Sequence, residues 1–187
     1  MHSFTTTSEV EMGERVAHHL AAHPVPRYLI GGLGLGFTLK AVLNRLPPDG
    51  RVVVAELLPA IIEWNRTHLH GLNGALLEHP QVEIREGDVN QLLRDSPADH
   101  FDGILLDIDN GPVAMVQADN AALYTRQGIE LLRRVLAPGG QIAFWSASPD
   151  AAFIRRLQQS GCTFEAVPTR AYPGAKRAQY VIYYVSF

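Results

Sequence analysis

Gly31, Gly32, Gly34 and Gly36 stand between the apolar run RYLIG and a helical pattern that opens at Phe37. Glycine there permits a sharp turn and lets a ligand approach the main chain. A helix start adds N–H groups that lack intrahelical partners. The spacing from Gly32 is G-x-G-x-G, and Phe37 occupies the place of the third glycine in the dinucleotide loop G-x-G-x-x-G. Such spacing suits a loop that holds the amino-acid part of S-adenosylmethionine. The plainer reading is a tight turn with no ligand.

Three further acids extend the pattern. Glu56 closes the run RVVVAE, 20 positions after Gly36. A carboxylate at that point can accept both hydroxyls of a ribose, or simply be a solvated strand-end glutamate. Asp88, in EGDV, can accept from an adenine amino group, cap the helix that follows, or do both. Asp107 ends FDGILLD, and Asp109 and Asn110 follow it towards the same rim. A carboxylate beside a reacting sulfonium can orient an amine or take its proton; otherwise Asp107 stabilises a turn. Asp102 starts that run at the opposite edge and reads as structural.

The elements that must position these residues alternate. A helix is expected over 8–22, with Ser8 and Glu11 at capping-box spacing. Strands are expected over 27–31, 51–56, 82–86, 101–109 and 141–147. Helices are expected over 37–46, from Pro59 to about Leu77, over 89–94, 118–136 and 150–160. TFEAVPTR and QYVIYYVSF read as a closing hairpin. Apolar strands alternating with helices imply an α/β fold, a parallel sheet covered on both faces with one antiparallel addition.

Composition sets the class. The chain has 187 residues, 47% of them hydrophobic, which suits one globular domain over 1–187. The net charge of −3 disfavours nucleic acid or an acidic membrane as partner. The single cysteine, Cys162, excludes an internal disulfide and fits a reducing cytoplasm. No apolar run approaches the ~20 residues of a membrane span. The histidines share no metal-ligand pattern, so no metal is expected.

The order IGGLGLGFTL, VVVAE, EGD, FDGILLDIDNGP and LYTRQGIELLRRVLAPGG resembles the class I S-adenosylmethionine-dependent methyltransferase fold, and more closely the catalytic domain of spermidine synthases. The resemblance covers about residues 8–160. It implies a Rossmann-like, seven-stranded sheet ordered 3-2-1-4-5-7-6. It also implies S-adenosylmethionine, or its decarboxylated form, over the strand ends. Gly31, Gly32, Gly34, Gly36, Glu56, Asp88 and Asp107 would bind this cofactor, with Asp107 at the reacting amine as the catalytic residue. Asp109, Asn110, Tyr124 and Trp145 are candidates for the acceptor.

The chain also departs from that family. Its first loop, GGLGLG, lacks the acid that anchors the aminopropyl amine there, and Asn110 replaces the second aspartate of the D-x-S-D motif. Only a short helix precedes the first strand, where that family has a small β-rich domain. These departures put methyl transfer to a small-molecule, possibly amine, acceptor first. Aminopropyl transfer from the decarboxylated cofactor is the alternative, and a nucleoside-binding or oligomeric protein without catalysis is the third reading. VIYYVSF and the first helix suggest a homodimer contact.

Overall fold

The computed structural model describes residues 7–73, 75–108, 118–172 and 174–187. Asp109 and Asn110 lie outside the described residues. Seven strands form one sheet in the order β3-β2-β1-β4-β5-β7-β6. They are β1 (Arg27–Gly31), β2 (Arg51–Glu56), β3 (Val82–Glu86), β4 (Phe101–Leu106), β5 (Leu136–Ser146), β6 (Thr163–Thr169) and β7 (Tyr180–Ser186). The first five run parallel, and β7 pairs antiparallel with both β5 and β6. This is the expected strand order.

Alternation along the strands builds two cores. Val52, Val54, Leu105 and Ala143 face one side, under α1 (Thr7–His19), α2 (Phe37–Leu43) and α3 (Pro59–Thr67). Ile104, Leu106, Ile142 and Phe144 face the other, under α5 (Val89–Asp95), α6 (Arg126–Val135) and α7 (Ala151–Gln159). Ile104, Leu105, Leu106 and Ile142 are fully buried. Each such side chain contributes about 1.5–3 kcal/mol relative to exposure.

Several boundaries differ from expectation. The helix after Pro59 stops at Thr67, where the N–H groups of His68 and Leu69 both converge on the Trp64 carbonyl. The short α4 (His70–Asn73) and a 3-10 turn at Leu76–Glu78 replace its second half. The helix expected over 118–136 is a 3-10 turn, Ala118–Tyr124, followed by α6. Thr125 separates them by capping α6: its hydroxyl accepts from the Gly128 N–H at 3.2 Å. β4 ends at Leu106, so Asp107 is the first residue beyond it. The capping box does not form, because Ser8 donates to Glu9, and Glu11 accepts from Thr169.

α1 crosses the sheet from its carboxyl edge to its amino edge. Glu11 near its start meets Thr169 at the end of β6, and His19 at its end meets the Gly139 carbonyl at 3.0 Å. His23 beyond it lies 3.4 Å from Asp102, whose carboxylate also accepts from the Arg27 N–H at 2.7 Å. Asp102 therefore ties the amino edge together. β7 is enclosed by β5 and β6, with Val181–Val185 buried, so this strand lies inside the sheet. No helix among the described residues is long and apolar enough to cross a membrane.

Candidate functional site

The site lies where the parallel strands end. Asp107 leaves β4 with its N–H donating to the Gly31 carbonyl at 2.9 Å. That bond brings the glycine loop across the end of β4. Gly32, at φ 89°, takes the left-handed backbone that glycine favours. Gly36, at φ 81°, is the left-handed N-cap of α2.

Two asparagines hold the loop from behind. The Asn65 amide on α3 donates to the Gly34 carbonyl at 2.9 Å and to Ile61 at 2.9 Å. The Asn73 amide donates to the Leu35 carbonyl. Both residues are buried. A trans peptide sets its N–H opposite its carbonyl. The bond from Asn65 to Gly34 therefore turns the Leu35 N–H away from α3. Sequence reading missed both residues, because their role depends on how α3 and α4 pack behind the loop.

Glu56 is 8% exposed and ends β2 on the α1 side of the sheet. One carboxylate oxygen accepts from the Leu33 N–H at 2.9 Å, the other from the Leu58 N–H at 2.9 Å. These bonds fix its plane, and each oxygen keeps a lone pair for a hydroxyl. Leu57 and Leu58, 39% and 53% exposed, set an apolar rim beside it. The carboxylate can accept from a pair of hydroxyls, and the rim offers a flat apolar surface.

Asp88 caps α5, accepting from the Asn90 N–H at 2.8 Å. It also lines a trough of about 480 Å³ between β3 and α5, with Glu83, Arg85, Gln91 and His100. That trough includes neither the glycine loop nor Glu56 nor Asp107, and it reaches the strand ends only through Glu86, Gly87 and Asp88.

Asp107 accepts from the Thr38 hydroxyl at 3.3 Å. Thr38 is buried on α2, so α2 orients the carboxylate. Burial, then the charge of Glu9, push Asp107 up to about 7, against the hydrogen bond from Thr38. Glu9 comes from α1. Burial raises it too, opposed by the Ser8 hydroxyl 2.6 Å away. The charge of Glu9 in turn disfavours the charged form of Asp107. Sequence reading did not find Glu9. Gly13 was the available signal: a Cβ there would meet the Thr38 carbonyl at 2.9 Å and Ala41 Cβ at 2.7 Å. That close approach of α1 to α2 sets Glu9, one helical turn earlier, towards Thr38.

The two aromatic candidates part company. Trp145, the last residue but one of β5, lies on the α1 side, half-buried, with its ring 4.8 Å from that of Tyr180. Tyr124 is 2% exposed on the opposite face, 5.2 Å from Phe153 and 5.6 Å from Phe144. Its ring belongs to the core beneath α6 and α7. No group of three or more histidine, cysteine or acidic side chains could hold a metal among the described residues.

No protein-family model matches the chain. It is 32% identical over 150 residues to polyamine aminopropyltransferase 1 of Streptomyces coelicolor, covering 78% of this chain and 27% of the relative. It is 35% identical over 151 residues to polyamine aminopropyltransferase 2 of Pseudomonas aeruginosa, covering 74% and 41%. The chain is spermidine synthase-like. In fold it is similar to spermidine synthase of Thermotoga maritima, with TM-score 0.69 and 21% identity, over 96% of this chain and 60% of that one. It is also similar to a spermidine synthase in complex with the transition-state analogue AdoDATO, with TM-score 0.72 and 21% identity, over 96% and 61%. Human methyltransferase-like protein 13, in complex with SAH, shares the fold with TM-score 0.66 and 16% identity, over 97% and 80%. The spermidine synthase-like chain thus has the class I methyltransferase fold. It spans well under half the length of these curated relatives.

Proposed function

We propose that the chain transfers an aminopropyl group from decarboxylated S-adenosylmethionine to a small amine. The sequence reading placed methyl transfer first, and the similarity to two polyamine aminopropyltransferases favours the reverse order. The observation that carries the proposal is the half-buried Asp107 carboxylate, held by Thr38 beside the glycine loop. No basic side chain forms an ion pair with it among the described residues. An unpaired acid in that position suits a cationic amine.

When bound, the donor supplies a carbon next to a sulfonium, which departs as neutral methylthioadenosine. Glu56 holds the ribose hydroxyls, and Asp88 meets the adenine from its place at the N-cap. Asp107 aligns the acceptor nitrogen. It takes the proton that the nitrogen gives up as the new carbon–nitrogen bond forms and the carbon–sulfur bond breaks. Trp145 walls the acceptor side. Most of the acceleration comes from alignment, since the leaving group needs no activation.

Methyl transfer is kept as a second reading by one observation, the absence of an acid in GGLGLG. The test incubates the protein with decarboxylated S-adenosylmethionine and a primary diamine. Methylthioadenosine and an aminopropylated amine should accumulate together, and Asp107→Asn should stop both. Binding of the donor without product would leave a nucleoside-binding protein and sink the proposal.

A further inference from the structure

Two acids from different parts of the chain lie at the carboxyl edge of the sheet, where the start of α1 meets the end of β6 and Asp107 leaves β4, and the charge of Glu9 acts on Asp107. Asp107 follows β4; Glu9 lies in the first turn of α1, which packs on α2 through the tight Gly13 contact. Thr38 joins the two elements, its carbonyl close to Gly13 of α1 and its hydroxyl on Asp107. Among the described residues no lysine, arginine or histidine pairs with either acid. Arg15, one and a half turns along α1, is engaged by Glu165 and the Tyr184 ring instead. Like charges that are partly desolvated and lack a counter-ion repel each other, and a cation between them relieves the repulsion.

An aromatic ring lies on the same side of the sheet end. Trp145, one strand over from Asp107 and on the same face, presents an aromatic ring beside that of Tyr180. An ammonium can donate to the carboxylates and lie against the ring.

We propose that Glu9 is the donor-selecting carboxylate of this site: with Asp107 it holds the ammonium at the end of the aminopropyl arm, and it repels a donor carrying a carboxylate on the same carbon. This inference rests on the aminopropyl-transfer reading. It supplies from α1 the negative charge that GGLGLG does not carry. Intact S-adenosylmethionine would set its own carboxylate against two others, a like-charge contact that disfavours binding.

The test is calorimetric titration of the parent protein, Glu9→Gln and Glu9→Asp with decarboxylated S-adenosylmethionine, S-adenosylmethionine and methylthioadenosine. Glu9→Gln should weaken the decarboxylated donor about tenfold or more. It should leave methylthioadenosine, which lacks the arm, unchanged. The preference for the decarboxylated over the intact donor should shrink by the same factor, and Glu9→Asp should restore part of it. An unchanged preference in Glu9→Gln overturns the assignment while leaving aminopropyl transfer standing. An equal loss for all three ligands also overturns it, since that marks a purely structural residue. A parent that prefers the intact donor defeats the underlying reading itself.

Discussion

Gly32 and Asp107 meet so closely that no other residue fits at position 32. A Cβ on Gly32 would lie 2.3 Å from the Asp107 carbonyl oxygen, and φ is +89°. The contact seats the glycine loop on the end of β4 and puts the Asp107 side chain beside it. Gly32→Ala must either move the loop or displace β4. It should cost about 2 kcal/mol or more and reduce donor affinity with it. Urea unfolding and calorimetry, run on the same preparation, check both.

Glu56 carries two duties that separate by substitution. Glu56→Gln keeps one acceptor oxygen for a buried N–H, whereas Glu56→Ala leaves the Leu33 and Leu58 amides without their acceptor. Glu56→Ala should lose about 1–3 kcal/mol of stability and at least about tenfold in methylthioadenosine affinity. Glu56→Gln should keep most of the stability and lose the affinity. A Glu56→Ala variant that binds methylthioadenosine like the parent would remove the ribose assignment.

Asp107 predicts a pH dependence of defined sign. Its folded value, about 7, lies above its ordinary value of 3.8, because burial and Glu9 disfavour the charge. The folded state therefore binds more protons than the unfolded chain between those values. The stability this provides is complete below about pH 4 and is lost as pH rises through about 7. Asp107→Asn should flatten that fall and be the more stable protein at pH 8. The transfer rate of the parent should rise through the same interval, as the carboxylate becomes able to accept a proton. Thermal unfolding and rate profiles from pH 4 to 8 check the two slopes.

Asn65→Ala should weaken donor binding without touching the donor. The amide holds Gly34 and Ile61, so its loss frees the loop from α3. A loss of about 1–3 kcal/mol in stability is expected, with a fall in affinity shared by all adenosine ligands. Calorimetry with methylthioadenosine separates this from the Glu9 effect, which spares that ligand.

The strands and the crevice were readable because parallel strands leave continuous apolar runs, and VVVAE and FDGILLD end in acids; the strand order came from the resemblance to spermidine synthases. The glycines mark the turn by themselves. Helix ends were less readable. Thr125 and Gly128 divide a helical-looking stretch because Gly128 packs against the Ala122 carbonyl, a contact no periodicity announces. Glu9, Thr38, Asn65 and Asn73 were missed for one reason. Each reaches the site from a helix whose packing brings it there, so its role depends on tertiary contact and not on local spacing. Tyr124 shows the converse: its place in LYT suggested the acceptor, and packing put the ring in the opposite core.

The most direct measurement is a donor competition. The protein receives equal S-adenosylmethionine and decarboxylated S-adenosylmethionine with a mixture of primary diamines, and the products are weighed by mass spectrometry. Amines heavier by one aminopropyl group, formed with methylthioadenosine and absent in Asp107→Asn, are the predicted result. Amines heavier by one methyl group, formed with S-adenosylhomocysteine, would contradict the account.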